Sequence, residues 1–550
     1  MVENILTPIS LWSDFDLSLP LKKSVLNVVP VGSVDYNYVY FSGRQTETSR
    51  VRIYALYAKQ KFNSKGCVLV LPDPSNEIDE ELVLHFVKLG YDVLSVDYGG
   101  EREGQTNFTK YPQEISYANY SLNDKSFYYA EKTAKETCWY EWVAVARYAV
   151  NFLYENSPNK PISAIGIKNG ANVLWQLAGV DKRINSAVFL FGSGWLAYKD
   201  IDKSSDTEIE MNDERIRFIA GVDAQSYAVH VTCPTLFIGT TNNKEFNAER
   251  SIDTLSYIEN QKKVHYTFTP SSVDVLDYDY LNCVEIFLSK YLSKEKVALP
   301  EQPLLELSLN EDSLEYYFEC DKPSNISEII LFTSLTDDKF NERIWIRNNV
   351  TVNEKGVGEF KKKLIFNCET AYSFIRVKYK NGFIVSSRFI SKKITDNFDL
   401  KTPNVIFNAE NFDMGFVSTA VSNSLIGDVF TNDSLFDTIE GPSGVLGLSS
   451  MSTLTTRAIK NIAPTLNDKS FIKFDVYSPN YINLSLVLND GENDYTYNVS
   501  VTGGSVWQNV MAEICEFKDE NGLPISNITE ICSLSFKSIA KYTINNVMVL

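Results

Sequence analysis

Two glycines around one lysine form the clearest candidate for a reactive turn in this sequence. The apolar residues 162–165 predict a strand, and the apolar spacing after position 170 predicts a helix. Between them stands Gly166-Ile-Lys168-Asn-Gly170. Glycines at this spacing let a strand and a helix approach closely around a sharp bend, whose middle residue projects from the top of the sheet. That position usually presents a Ser, Cys or Asp nucleophile for acyl transfer, but here it is Lys168.

A hydroxyl nucleophile also needs a base, and the chain offers few. It contains only three histidines, His85, His230 and His265, and an oriented histidine is the usual base for a serine. The local patterns place His85 in a surface helix, His230 just before a strand, and His265 inside the last strand of the region. We therefore expect all three to be structural or exposed residues rather than catalytic bases.

The elements that must position the turn are short apolar runs alternating with helical stripes over residues 60–295. Runs of this length are typical of strands buried on both faces, and their alternation with helices predicts a doubly wound α/β sheet. Residues 1–59 alternate polar and apolar side chains, and we expect a β-rich extension that packs on that sheet. The six apolar runs are Cys67–Leu71, Asp92–Val96, Ile162–Gly166, Ala187–Phe191, Pro234–Ile238 and Val264–Phe268.

The pattern of polar and apolar residues changes after Leu292. A charged segment with two prolines, residues 293–303, is interpreted as a linker. Residues 304–395 show strand-like alternation and predict a small, immunoglobulin-like β-sandwich. Residues 404–550 are also all-β in pattern.

The region 10–292 resembles α/β-hydrolases of the acetyl-xylan esterase and dienelactone hydrolase group. The resemblance is carried by the order of several segments and by the glycine turn. In such enzymes the catalytic acid follows the strand that matches residues 234–239, and the residue at that position here is Asn242. The catalytic histidine lies in the loop that matches residues 269–274, where the nearest match here is Asp274. The resemblance therefore implies a degenerate triad at Lys168, Asn242 and Asp274. The segments are Leu11–Asp16, Val51–Tyr54, Trp139–Leu153 and Phe191–Trp195.

The oxyanion hole that the resemblance implies is also altered. One donor would be the Asn169 N–H, and the other would come from the loop Pro72-Asp-Pro-Ser75, where two prolines remove two backbone donors. Lys168 has two interpretations: a cation paired with Asp274 or Asp73, or a desolvated lysine acting as nucleophile or base. A neighbouring carboxylate would oppose the second, because it stabilises the ammonium form.

The last domain, residues 404–550, resembles jelly-roll carbohydrate-binding modules of the galactose-binding-like type. The segments 470–480, 495–507 and 534–537 carry this resemblance. They mostly build a sandwich, and we expect Trp507 to belong to its core. Glu410 is a weak candidate for a structural Ca²⁺ ligand, and no cofactor is predicted.

Charge and composition limit the partners. With 52 basic and 70 acidic residues the net charge is −18, which disfavours nucleic acid and anionic membranes. The longest apolar stretch, residues 186–197, is too short to cross a bilayer, and we see no Sec-type signal peptide. Eight scattered cysteines without a CxxC pair favour a reducing cytoplasm; export by a non-Sec route and a place in a virion stay open.

Three functions are compatible with these patterns. The first is a catalytically inactive esterase-like scaffold that binds a carbohydrate or a protein. The second is an active acyl esterase with a relocated nucleophile, such as Ser193 or Ser271. The third is a structural or assembly subunit built on a hydrolase fold. The sequence does not fix the oligomeric state.

Overall fold

The computed structural model divides the chain into two compact units. The first comprises Met1–Gly239, Lys244–Tyr266 and Cys283–Leu299, and the second comprises Thr240–Asn243, Thr267–Asn282 and Pro300–Leu550. The structure describes residues 3–198, 201, 203, 209–272, 274, 276, 278–293, 296–335, 339–396, 398–400, 402–410, 412–419 and 436–550.

A nine-stranded mixed sheet organises the N-terminal half of the chain. Its strand order is β1-β2-β3-β5-β4-β6-β7-β8-β9. Strands β1 to β3 are antiparallel, and β3 also pairs antiparallel with β5, whereas β4 to β8 run parallel. The strands are β1 (Ser24–Val31), β2 (Val34–Gln45), β3 (Arg50–Gln60), β4 (Cys67–Leu71), β5 (Asp92–Val96), β6 (Ile162–Ile167), β7 (Ile184–Leu190), β8 (Thr235–Thr240) and β9 (Val264–Thr269).

Helices between the parallel strands supply the crossover connections. The longest, α3, begins after Thr137, whose hydroxyl accepts a hydrogen bond from the Tyr140 N–H. Almost every side chain of α3 is buried, which explains its apolar residues on all faces. The helices are α1 (Pro8–Trp12), α2 (Glu80–Lys88), α3 (Cys138–Asn156), α4 (Asn169–Val180), α5 (Asp213–Gly221), α6 (Ala224–Ala228), α7 (Ala248–Ser256) and α8 (Tyr278–Leu292). The predicted doubly wound α/β sheet is confirmed.

Residues 304–393 form two facing antiparallel sheets, one of order β10-β11-β14 and one of order β13-β12-β15-β16 with β17 beside β15. Phe332 and Phe374 stack in its core with ring centroids 4.8 Å apart. The strands are β10 (Leu304–Asn310), β11 (Ser313–Glu319), β12 (Ile326–Ser334), β13 (Ile346–Asn349), β14 (Val357–Lys363), β15 (Thr370–Tyr379), β16 (Ile384–Ser386) and β17 (Ile390–Lys393). We call this part the first sandwich.

The described residues between 405 and 549 form the second sandwich, from a seven-stranded and a five-stranded antiparallel sheet. Alternate residues of its strands fill a continuous apolar core. Trp507 is half-buried, and its indole N–H donates to the Pro442 carbonyl at 3.1 Å. The strands are β18 (Val405–Asn408), β19 (Phe412–Asp413), β20 (Val417–Thr419), β21 (Phe436–Glu440), β22 (Leu446–Ser450), β23 (Thr453–Thr456), β24 (Phe471–Tyr477), β25 (Ile482–Asn489), β26 (Asp494–Val501), β27 (Gln508–Glu513), β28 (Ser533–Lys537) and β29 (Tyr542–Val549). The expectation of all-β sandwiches after the α/β sheet is confirmed.

Two glycines of helix α4 differ in the space around them, which gives a direct test of the packing. A Cβ at Gly170 would overlap the carbonyl oxygens of Leu71 and Pro72, whereas a Cβ at Gly179 would make close contacts without overlap, 3.1 Å from the Tyr227 side chain and 3.2 Å from the Tyr227 carbonyl oxygen. We expect Gly170→Ala to lower the free energy of unfolding by about 3 kcal/mol, because the strand and helix must separate. Gly179→Ala should cost clearly less, since it also gains about 1 kcal/mol of helix propensity.

Chemical denaturation of both variants beside the unsubstituted protein checks this expectation. Equal losses for the two variants would show that the close approach at Gly170 is not the constraint we describe.

Candidate functional site

The bend between β6 and α4 holds Lys168 in a backbone conformation that L-residues rarely adopt. Its φ is +54° and its ψ is −117°. The Lys168 N–H donates to the Leu190 carbonyl at 2.8 Å, and the Lys168 carbonyl accepts from the Ala171 N–H at 3.0 Å. Its side chain is half-buried. Such a conformation costs about 1–3 kcal/mol and persists only where the surroundings enforce it.

Three glycines enforce the bend by removing side chains where backbone segments meet. A Cβ at Gly166 would overlap the Gly170 carbonyl oxygen, one at Gly170 would overlap the Leu71 oxygen, and one at Gly192 would overlap the Lys168 oxygen. Strand β4, the bend and the loop after β7 are therefore in contact through backbone atoms. Any Cβ at these positions would push the bend out of shape.

The most informative contact of the site joins Asp73 to the first residue of α4. One oxygen of the Asp73 carboxylate, Oδ2, accepts from the Asn169 backbone N–H at 3.1 Å and from the Asn169 side-chain amide at 3.2 Å. Asp73 is only 5% exposed. In a nucleophile turn the N–H of the residue after the nucleophile binds the oxyanion of the tetrahedral intermediate. Here the Asp73 carboxylate binds this N–H in place of an oxyanion.

The loop after β4 directs further donors to the same residue. The Ser75 N–H and hydroxyl both donate to Asp73 Oδ1, at 3.0 and 2.6 Å, and the Asn76 N–H donates to the Asp73 carbonyl at 2.9 Å. The Tyr98 hydroxyl donates to the Pro72 carbonyl. The loop from which a second oxyanion donor would come thus uses the N–H groups of Ser75 and Asn76 to hold Asp73.

The loop after β7 carries two more strained, bulky residues. Phe191 has φ +66° and Trp195 has φ +61°. The segment is held by side chains from α4 and the start of α6: Asn172 accepts from the Gly194 N–H at 2.7 Å, and Asp223 accepts from the Leu196 N–H at 3.1 Å. Burial raises the pKa of Asp223 to about 6. Strained backbone of this kind is typical of binding and catalytic sites.

Both serines considered as relocated nucleophiles are buried. Ser193 is 1% exposed, and its hydroxyl lies 2.6 Å from that of Ser251. Ser271 is 0% exposed, and its hydroxyl donates to the Ser418 carbonyl at 3.3 Å. Each hydroxyl is thus packed against another polar group of the chain.

Asn242 and Asp274 belong to the second compact unit, whereas Lys168 belongs to the first. Asn242 is fully buried: its amide donates to the Arg343 carbonyl at 2.7 Å, and its side-chain oxygen accepts from the Trp345 indole at 3.1 Å. Asp274 accepts from the Asn243 amide, and from the Thr240 hydroxyl at 3.3 Å. Asn242 therefore ties the strand ends of this unit to the start of β13.

The three histidines lie in different surroundings. His85 on α2 lies 3.0 Å from Glu285 of α8, with both side chains partly exposed. His230 follows α6, and its carbonyl accepts from the Lys182 ammonium at 2.5 Å. His265 is a buried residue of β9 whose ring centroid lies 6.4 Å from that of Phe287.

Neither a metal cluster nor a membrane helix is found in the part of the chain that the structure describes. No three His, Cys, Asp or Glu side chains of those residues converge on one point. Glu410 is exposed between β18 and β19. In the same part of the chain, every helix is too short or too polar to span a bilayer.

Comparisons with known proteins give only distant likenesses. No family model and no curated protein matches the chain. Among solved structures, acetyl xylan esterase 1 of Thermoanaerobacterium sp. JW/SL YS485 is 16% identical with a TM-score of 0.35, over 48% of this chain and 85% of that chain. The acetyl xylan esterase of Paenibacillus sp. R4 is 16% identical with a TM-score of 0.39, over 52% and 92%. Likenesses this weak carry no argument, so the fold class, a doubly wound α/β sheet followed by all-β sandwiches, rests on the strand order of the chain itself.

Sequence patterns missed the residue that dominates this site. Asp73 was considered only as a partner for Lys168, whereas the structure places its carboxylate on Asn169. The signal was present in the position of Asp73, between two prolines directly after a buried strand. The sequence could not show which of the surrounding N–H groups it binds.

The left-handed conformation at the bend can be tested at position 168. We expect Lys168→Gly to be more stable than Lys168→Ala by about 1 kcal/mol, because glycine adopts positive φ without a Cβ penalty. Both variants lose the amino group, so their difference in free energy of unfolding isolates the backbone effect. Equal stabilities in urea titrations would contradict the strain assigned to this residue.

Proposed function

We propose that this protein is a catalytically inactive, esterase-like scaffold that binds a carbohydrate or a protein. The observation that carries the proposal is the Asp73 carboxylate on the Asn169 N–H. A developing oxyanion at this bend would have to displace that carboxylate, or would lie close to a second negative charge. Loss of one oxyanion donor alone costs about 10²–10³ in kcat.

The side chains at the expected catalytic positions also lack the required chemistry. A neutral amide such as Asn242 carries no charge with which to stabilise an imidazolium, and this one is used by Trp345 and Arg343. Ser193 and Ser271, at 1% and 0% exposure, are too buried to attack a substrate without rearrangement. This disfavours an active esterase with a relocated nucleophile.

The cysteines support a place for the scaffold in the cytoplasm. Five of the eight cysteines are buried. Burial raises the pKa of Cys67 and of Cys138 to about 12, which keeps both protonated and unreactive at neutral pH. Cysteines scattered along the chain without a CxxC pair are typical of a reducing compartment.

Ester hydrolysis gives the direct test of inactivity. We expect the purified full chain to hydrolyse p-nitrophenyl acetate and acetylated xylan no faster than the same protein after heat denaturation. Lys168→Ala should leave that background rate unchanged, and a fluorophosphonate probe should label no serine. Saturable turnover that Lys168→Ala or Ser193→Ala abolishes would overturn the proposal.

A second candidate function, a self-assembling subunit, is favoured by strand β1. All eight of its residues are exposed, and its apolar side chains include Leu26 at 50% and Val31 at 53% exposure. As the edge of the sheet it presents unpaired backbone groups. The strand carries no charge in a chain of net charge −18. It is therefore a surface on which two acidic copies can meet with little repulsion, by antiparallel pairing around a twofold axis.

Light scattering after size-exclusion chromatography tests this candidate over a range of protein concentrations. We expect dimers that Val28→Lys converts to monomers, since pairing around a twofold axis would bring the two new lysines close together on the joined sheet, where like charges repel. Val229→Lys, at a comparably exposed position after α6, is the matched control and should leave the dimer intact. Monomers at every concentration would exclude assembly through β1.

A further inference from the structure

A polar cleft lies between the first and the second sandwich, within the second compact unit. It has a volume of about 510 Å³ and is bordered by strands β12, β13 and β14 on one side and by β18, β19 and β21 on the other. This volume lies within the range of about 300–1,000 Å³ that small-molecule sites occupy. The cleft is far in sequence from the bend at Lys168, and it shares no residue with that site.

The cleft combines aromatic rings with amide and charged side chains. Phe360 and Phe412 line it and are only half-buried. Asn348 contributes an amide, and Glu328 and Glu410 contribute carboxylates. Aromatic rings beside hydrogen-bonding groups suit a ligand that has both apolar C–H faces and many hydroxyls.

Ion pairs and hydrogen bonds hold the charged groups of the cleft in place. Arg347 donates to Asp437 at 2.8 Å and to the Thr438 hydroxyl at 3.3 Å. Lys362 donates to Asn348 Oδ1 at 2.9 Å, while the Asn348 amide donates to the Leu331 carbonyl at 3.2 Å. Groups fixed in this way lose little conformational freedom when a ligand binds.

The charge of the cleft limits the chemical class of the ligand further. Four carboxyl groups, Glu328, Glu410, Asp413 and Asp437, line the cleft with two basic groups, Arg347 and Lys362. A third basic group, Arg376, pairs with Glu328 at 3.5 Å. Burial raises the pKa of Asp413 and lowers the pKa of Lys362. The remaining acidic excess repels phosphates, sulfates and uronic acids but accepts hydrogen bonds from neutral hydroxyls.

We propose that the cleft between the two sandwiches binds a short, neutral oligosaccharide. The apolar face of a sugar ring packs on Phe412 or Phe360, and its hydroxyls donate to the carboxylates and accept from Arg347 and Lys362. This proposal deepens the binding part of the function proposed above, because it chooses carbohydrate over protein and gives the site.

The experiment starts with the full chain on a printed array of neutral and anionic glycans, the neutral set including xylan, mannan, glucan and chitin oligosaccharides. The strongest neutral binder is then titrated calorimetrically. We expect Phe412→Ala to weaken its binding at least tenfold and Glu410→Gln, an isosteric change at an exposed side chain, to weaken it about threefold. Tyr481→Ala, which removes another exposed ring of the second sandwich, is the matched control and should bind like the unsubstituted protein.

Thermal unfolding of each variant shows whether Phe412→Ala is folded, and Glu410→Gln keeps the test valid if it is not. Three outcomes would each overturn the proposal. They are no binding to any neutral glycan of the array, binding to anionic glycans alone, and an affinity for the neutral glycan that neither cleft variant changes. Glycan binding and ester hydrolysis are measured independently. An active esterase without a sugar site would hydrolyse esters and bind no glycan, whereas an inactive scaffold with such a site would do the reverse.

Discussion

The contact between the Asp73 carboxylate and the N-terminus of α4 is the constraint on which the chemistry of the N-terminal region depends. The first N–H groups of a helix have no partner within the helix and carry a partial positive charge. A carboxylate placed there gains about 0.3–1 kcal/mol at an exposed site and up to about 2 kcal/mol where it is partly buried. Asp73 is nearly fully buried and binds both the backbone and the side chain of Asn169. The property that would stabilise an oxyanion thus stabilises the resting protein.

The strained bend persists because backbone packing fixes it, not because a reactive side chain needs it. Gly166, Gly170 and Gly192 each stand where a Cβ would overlap a carbonyl oxygen. With those segments in contact, Lys168 adopts the positive φ that joins the strand to the helix. Its positive φ is therefore a consequence of the architecture around it. The same shape would present a nucleophile if the side chain were a serine, so the shape alone carries no argument for catalysis.

The fold class could be predicted because buried parallel strands leave a strong local signal. The runs at 67–71 and 92–96 coincide with β4 and β5, and the run at 162–166 is one residue shorter than β6. Such strands are apolar on both faces, so a few consecutive residues identify them. The sandwiches after the linker were likewise predicted from alternating side chains, which reflect one buried and one exposed face.

For the site, the sequence could predict only which residue types are present. It could not predict their contacts, because these join positions that are distant in the chain. Asp73 and Asn169 are 96 residues apart, and Asn242 and Trp345 are 103 residues apart. Whether Lys168 acts as an ion-pair partner or as a functional amine stays a prediction.

The polar cleft shows the same limit more strongly, because no local motif marks it. Arg347 and Asp437 come from different sandwiches and are 90 residues apart, and each alone is an ordinary charged residue on a strand. Only the packing of the two sandwiches makes them neighbours. The Trp345–Phe416 bridge, and the absence of a side chain at Gly415 beside Ile344, bring β13 close to β20.

That packing also decides what the cleft can recognise. The Arg347–Asp437 pair joins the two sandwiches, and its arginine side chain is only 11% exposed. The pair keeps donors and acceptors fixed at the wall of a water-accessible cavity. Fixed groups of both kinds beside half-buried rings match a polyhydroxylated ligand better than a flexible peptide.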